Sequence, residues 1–144
     1  MTYFGSQPLI QITEDVTQSL RRITWLDGLQ PERSYQRDFE LADLESKVLV
    51  FPAATTFVRD SRRSVSPQLV VGMVAAKRLP LGDVSLVDKW ASEFLRMRDT
   101  MVETYIEGFD VYEWNHPSGE VFEVEYQRKG VLALVVEVTY QERF

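Results

Sequence analysis

The stretch 68–103, QLVVGMVAAKRLPLGDVSLVDKWASEFLRMRDTMVE, determines the expected fold. Its first part, Gln68 to Lys77, is apolar on both faces of an extended chain, which is typical of a central strand. A turn at 79–82 separates this strand from a predicted helix over Val84 to about Glu103. Apolar side chains recur in this helix at alternating spacings of three and four, at Val87, Trp90, Phe94, Met97 and Met101. The stretch therefore predicts a buried strand with a helix lying across its sheet.

Single residues refine this strand and helix. Gly72 interrupts the apolar run, and a glycine inside a strand is typical of a place where a helix or backbone comes close. Asp83 or Ser85 is expected to cap the helix, since short polar side chains satisfy the first backbone N–H groups. Glu93 and Arg96 lie opposite the apolar stripe, on a side that we expect to be solvated.

Three elements are predicted before this stretch. Thr13 to Ile23 has helical spacing of apolar residues, with Thr13 as its cap. Alternation from Arg33 to Leu41 predicts a strand with mixed faces near a sheet edge. Val48 to Phe51 predicts a short buried strand, which Ala54 to Arg59 continues beyond a kink.

Extended elements are also predicted after the long helix. Val111 to Trp114 is interpreted as an extended piece. Alternation from Glu120 to Gln127 predicts a strand that turns at Lys129-Gly130 into a long last strand, Val131 to Tyr140. Because few residues separate these two strands, we expect them to form a hairpin.

Together these elements predict an α+β fold. We expect a mainly antiparallel four- to five-stranded sheet with two helices packed on one face. The chain has 144 residues, the size of one ordinary domain, so we expect residues 1–144 to form a single α+β domain. The polar residues 59–67 are expected to form a mobile basic loop at a hairpin tip.

Composition excludes several classes of protein. With no cysteine, the chain has no disulfide framework, thiolate zinc site or cysteine nucleophile. Its formal net charge of −6 argues against general nucleic-acid binding, which needs a basic field. The longest apolar runs are shorter than a bilayer span, and the start of the chain does not resemble a signal peptide. We therefore expect a soluble intracellular protein, or one assembled inside a cell, with no membrane partner.

Charge is distributed unevenly along the sequence. Residues 1–78 carry 10 basic and 9 acidic side chains, whereas residues 79–144 carry 6 basic and 13 acidic ones. Such asymmetry is suited to head-to-tail self-assembly or to docking on a complementary partner. The alternative is that the acidic residues only solvate the second half.

No pattern of reactive residues points to catalysis. His116, the single histidine, is expected to be exposed in a turn without a nucleophile or an acid beside it. Carboxylates cluster in the second half, but their placement on a polar strand face suits solvation; they are Glu113, Glu120, Glu123 and Glu125. The calcium-loop, phosphate-loop and dinucleotide motifs are missing. We expect no enzyme activity, catalytic residues, metal or cofactor.

Arginines are the candidate contact residues. Arg59, Arg62 and Arg63 form the one basic cluster, which suits contact with carboxylates of another subunit. An unspecific exposed loop and a DNA contact are the alternatives, although no aromatic residues interleave with the arginines for base stacking. Arg33 and Arg37, on the predicted edge strand, complete the set of candidate protein–protein contacts.

The order of elements resembles that of small tail-terminator and head–tail joining (neck) proteins of tailed bacteriophages. Three stretches carry the resemblance: ITEDVTQSL at 12–20, LVVGMVAAKRL at 69–79 followed by DVSLV at 83–87, and VVEVTYQ at 135–141. The resemblance implies a structural virion protein, assembled in the host cytoplasm, that forms a ring, usually of six subunits. Such a ring caps the tail tube and meets the head connector, so the implied partners are further copies, the tail tube protein and the head-completion or connector protein.

Other functions remain open at this point. Tail terminators and head-completion proteins are both small α+β proteins, and the sequence does not separate them. A non-enzymatic accessory or regulatory binding domain is the main alternative, and a deep apolar pocket would favour it. A small hydrolase using Glu123 and Glu125 is a third hypothesis.

Overall fold

The computed structural model describes residues 7–59 and 65–143. Their helices are α1 (Gln7–Arg21), α2 (Val84–Glu103), the short α3 (Val124–Gln127) and a 3-10 turn at Leu26–Gly28. Their strands are β1 (Pro31–Arg33), β2 (Ser46–Arg59), β3 (Val65–Arg78), β4 (Phe109–Asn115) and β5 (Val131–Glu142).

The five strands form one sheet in the order β1-β2-β3-β5-β4. β2 and β3 pair antiparallel from Ser46 opposite Lys77 to Arg59 opposite Val65. β5 pairs antiparallel with both β3 and β4, and only the three residues of β1 run parallel to their neighbour β2. The predicted α+β class and mainly antiparallel sheet are confirmed, with β3 as the predicted central strand.

Both long helices cover one face of the sheet. The stripes of α1 and α2 lie in one buried cluster with alternate residues of β2, β3 and β5. The helix residues in it include Ile12, Val16, Leu20, Trp90, Phe94, Met97 and Met101. The predicted placement of two helices on one face is therefore confirmed, as is α2, which Asp83 caps by accepting a 3.2 Å hydrogen bond from the Leu86 N–H.

The opposite face of the sheet is covered by irregular chain and by α3. Phe39 and Leu41 pack there against β3 and β5, and the rings of Phe39 and Tyr126 stack with centroids 5.9 Å apart. Gly72 lies on β3 opposite Phe51, and a Cβ atom at Gly72 would come within 2.3 Å of the Phe51 ring. A close approach does occur at this glycine, but the predicted helix or backbone is wrong, because the approaching group is the Phe51 side chain.

The strand predicted over Arg33 to Leu41 is wrong beyond its first residue. β1 ends at Arg33, and the chain from Ser34 continues without regular structure. Its last strand-like backbone contact is the bond from the Ser34 N–H to the Val50 carbonyl. Phe39 and Leu41 then turn under the sheet, since the apolar face there needs cover.

The hairpin predicted between Glu120 to Gln127 and the last strand is also wrong. Phe122 packs on the helix-side cluster, Tyr126 packs on the opposite face, and Val124 is 41 % exposed. The three residues expected inside one strand therefore lie in three environments, and β4 is the strand that pairs with β5.

No helix in the described ranges is both long and apolar enough to cross a membrane.

α1 begins earlier than predicted. It starts at Gln7, so Thr13 lies inside the helix, where its hydroxyl donates a 2.6 Å hydrogen bond to the Leu9 carbonyl. The same type of bond joins the buried Thr17 to the Thr13 carbonyl. Thr13 is therefore a buried helix residue and not a cap.

Removal of one hydroxyl from the core is expected to cost no stability. Tyr140 on β5 is 1 % exposed, and its hydroxyl oxygen has no hydrogen-bond partner within the described residues. For Tyr140→Phe we expect an unfolding free energy at pH 7 that is unchanged or higher by about 1 kcal/mol, because an unpaired buried group is removed. Urea unfolding measures this change, and a clear loss at pH 7 would contradict it.

The same variant has a defined pH dependence. Burial raises the pKa of Tyr140 above its ordinary value of 10.0, so the folded state holds this proton when the unfolded state has lost it. Below pH 10 the hydroxyl is neutral in both states, so it causes no change of stability with pH. Above pH 10 the unfolded state ionises first, and the free energy of unfolding falls as the pH rises. Tyr140→Phe should therefore lose less stability above pH 10 than the wild-type chain does.

Candidate self-association surface

The sheet separates the two halves of the sequence in space. β1, β2, β3 and α1 come from the first 78 residues, and α2, β4 and β5 come from the remainder. Because the strand order is β1-β2-β3-β5-β4, the described residues of the first half, 7–59 and 65–78 with 8 basic and 8 acidic residues, lie towards β1. The half with 6 basic and 13 acidic residues lies towards β4. The charge asymmetry of the sequence thus becomes an asymmetry between the two ends of the sheet.

The acidic end terminates in the edge strand β4. Tyr112 and Trp114 of this strand are 57 % and 40 % exposed, and Asp110 and Glu113 are exposed beside them. Arg143 holds Asp110 in a 2.7 Å ion pair, and this hydrogen bond lowers the pKa of Asp110. β4 has β5 on one side and, within the described chain, no strand on the other. Its outer edge combines aromatic area with negative charge.

His116 follows β4 and is held by hydrogen bonds. Its Nδ1 lies 2.8 Å from the Val135 carbonyl, and its Nε2 lies 3.2 Å from an Arg98 guanidinium nitrogen. The carbonyl accepts and the guanidinium donates, so Nδ1 carries the proton and Nε2 does not. Arg98 also lies over the Trp114 ring, 5.0 Å from its centroid. The predicted exposed turn residue is therefore half-buried and helps to fix the end of β4 on α2.

The other end of the sheet has an incompletely covered edge. β1 pairs with β2 only at 48–50, and no strand of the described chain covers the outer side of β2 beyond that point. A bulge between Pro52 and Ala54 follows, and Ala54, Thr55 and Thr56 are exposed. We call Ala54–Thr56 the open segment of β2.

The structure places Arg33 and Arg37 at this same edge but on different faces. Arg33 forms a 3.3 Å ion pair with Glu14 of α1 on the helix side. Arg37 donates a 3.1 Å hydrogen bond to the Ala53 carbonyl and lies 4.7 Å from the centroid of the Phe51 ring, on the opposite face. Arg62 and Arg63 lie outside the described residues, and for Arg59 only the backbone at the end of β2 is described.

The carboxylates of the second half have local structural roles. Glu120 accepts a 2.9 Å hydrogen bond from the Val124 N–H at the start of α3. Glu123 accepts a 2.9 Å hydrogen bond from the Ser118 hydroxyl. Neither lies on a strand, which corrects the predicted polar strand face. In the part of the chain that the structure describes, no three potential ligands converge as a metal site would require.

One depression on the face opposite the long helices was not predicted. It has a volume of about 570 Å³ and is lined by Asp38, Phe39, Glu40, Glu125, Tyr126 and Lys129. Burial, together with the nearby carboxylates of Asp38, Glu123 and Glu125, raises the pKa of Tyr126. Four of its six lining residues are charged, so it differs from the deep apolar pocket that would favour an accessory binding domain.

Sequence reasoning missed the exposed aromatic residues of β4. Tyr112 and Trp114 stand next to acidic residues at 110 and 113, and this mixture of aromatic and charged side chains is a usable signal for an edge strand at an interface.

Comparison with known proteins gives no relative: no family model and no curated protein sequence matches the chain.

Proposed function

We propose that this chain is a structural virion protein of a tailed bacteriophage, a tail terminator or head–tail joining component, without catalytic activity. It oligomerises into a ring, most simply a hexamer, that caps the tail tube and docks to the head connector. The observation that carries this proposal is the difference between the two sheet ends, one acidic and aromatic and the other with an open segment. Two different complementary patches are what a heterologous ring contact requires.

The β2–β3 hairpin supplies the second support. The last pair between β3 and β5 is Gln68 opposite Gln141, whereas β2 and β3 remain paired as far as Arg59 opposite Val65. The hairpin therefore extends beyond the rest of the sheet as a two-stranded ribbon. In a ring, such ribbons project in one direction from every subunit, and this is a suitable geometry for contacting an adjoining ring.

Assembly state tests this proposal. Size-exclusion chromatography with light scattering, over a range of protein concentrations, should show a closed species of fixed subunit number in equilibrium with smaller ones. Because the two ends differ in charge, we expect assembly to weaken as salt is raised from about 0.05 to about 0.5 M. Purified tail tubes should retain the chain at one end, seen by electron microscopy with a labelled protein.

Two results would contradict the proposed ring-forming virion protein. A chain that remains monomeric at all concentrations and does not bind tail tubes is not a ring-forming virion component. Steady turnover of a hydrolase substrate that is lost in a Glu123→Ala, Glu125→Ala variant would instead support the hydrolase hypothesis.

A further inference from the structure

We propose that the ring contact is a continuation of the β-sheet, in which β4 of one copy pairs with the open segment of β2 in a second copy. This inference rests on the proposed ring and adds which surfaces meet in it. A sheet edge presents unpaired backbone N–H and C=O groups, so an added strand gains a ladder of hydrogen bonds.

Strand direction favours this pairing. β2 is antiparallel to β3, β3 to β5 and β5 to β4, so β4 runs antiparallel to β2 of its own chain. A rotation that brings the next copy alongside, with its helices on the same side of the sheet, preserves that relation. β4 of one subunit then meets β2 of the next in the antiparallel sense.

Coverage of the edges fixes where on β2 the contact lies. β1 already occupies the outer side of β2 at 48–50. The exposed residues Ala54, Thr55 and Thr56 lie beyond it, on the part of β2 that no described strand covers. β4 has seven residues and offers 57 % exposed Tyr112 to the neighbouring surface.

Charge on the face away from the long helices is complementary. Glu113 pairs with Thr139, and the residues on either side of Thr139 belong to the helix-side cluster, so strand alternation places Glu113 on the opposite face. Arg37 lies on that same face above Phe51, beside the β2 bulge. Glu113 forms no ion pair within the described residues, whereas Asp110 is already held by Arg143. Sheet continuation brings Glu113 of one copy towards Arg37 of the next.

Engineered disulfides test the contact directly, since the natural chain has no cysteine. Glu113→Cys is mixed with Ala54→Cys or with Thr56→Cys, each of which lies on the same face by alternation along β2. Residues opposite each other in an antiparallel pair have Cα atoms about 4.5–5.5 Å apart, which is within the span of a disulfide. We expect a covalent dimer on non-reducing gels in at least one of these mixtures.

Thr55→Cys is the matched control. Thr55 is exposed on the same open segment, but its partner Leu69 belongs to the helix-side cluster, so it points to the other face. Its mixture with Glu113→Cys should remain monomeric on the gel. Rings that form normally but cross-link through Thr55→Cys, or through none of these positions, would overturn the edge contact and leave the proposed function standing. Failure of every chain to assemble would overturn both.

Charge exchange provides a second measurement that does not depend on register. Glu113→Arg and Arg37→Glu should each weaken ring formation by about tenfold, because each replaces an attraction across the interface by a repulsion between like charges. The double variant should recover the wild-type association within about twofold. Two single effects that simply multiply in the double variant would show that these side chains do not meet.

Discussion

Gly72→Ala is expected to lower the free energy of unfolding by about 3 kcal/mol, at the upper end of what overpacking of a core costs. A methyl group at this position of β3 would lie 2.3–2.4 Å from the edge of the Phe51 ring. That ring is 2 % exposed and has Arg37 over its outer side, so it has little room to move away. Urea unfolding followed by tryptophan fluorescence measures the loss.

Two further variants test whether the loss comes from a clash with the Phe51 ring. Gly82→Ala is the matched control, because nothing lies within 4 Å of a Cβ atom there, and we expect a change below about 0.5 kcal/mol. Phe51→Ala removes the clashing ring and destabilises the protein by itself, because it leaves a cavity. In the Phe51→Ala background, Gly72→Ala should lower the free energy of unfolding by about 2 kcal/mol less than it does in the wild type. Additive losses in the double variant would show that the two residues do not compete for the same space.

Glu93→Ala is expected to cost about 2 kcal/mol, because it leaves a half-buried backbone N–H without its acceptor and removes the ion pair with Arg96. The Glu93 carboxylate on α2 accepts a 2.6 Å hydrogen bond from the Leu26 N–H and another of 2.6 Å from Arg96. Arg96 in turn donates to the Thr24 carbonyl and lies over the Trp25 ring, 4.3 Å from its centroid. These contacts hold the chain after α1 against the second helix.

The pH dependence of this contact has a definite sign. The hydrogen bond from Arg96 holds the pKa of Glu93 below its ordinary value of 4.5. The stabilisation is therefore complete above about pH 4.5 and is lost as the pH falls through the lower folded-state pKa. Glu93→Gln, which keeps the shape but not the charge, should lose about 1 kcal/mol at pH 7 and show a shallower fall in stability at acid pH. An acid profile identical to that of the wild type would exclude this carboxylate as a source of acid sensitivity.

Much of the fold could be predicted because its main elements are long and strongly patterned. α2 and β5 carry apolar residues at helical and strand spacing over many positions, and tertiary packing agrees with both patterns. The same spacing failed at Arg33 to Leu41 and at Glu120 to Gln127. In the second segment Phe122 and Tyr126 pack on different faces of the sheet, and in the first Phe39 and Leu41 pack under one face without pairing as a strand. A pattern of period two carries no information on either arrangement.

The candidate surface was predictable only in part. The uneven charge was visible in the sequence, but its conversion into two sheet ends depends on the order β1-β2-β3-β5-β4. The edge position of β4 depends on the same topology, because the hairpin expected from Glu120 to Tyr140 assigned β5 a different partner. Pairing between distant strands is set by the whole core, and local spacing does not determine it.

The division of the chain across the sheet also has a consequence for its synthesis. The first 78 residues contain β1, β2 and β3 together with α1, which packs on these three strands. This unit leaves the ribosome first, and its hairpin and covering helix involve partners that are already made. β5 follows this unit in the sequence and pairs with β3, so the sheet is not complete until β5 has been made.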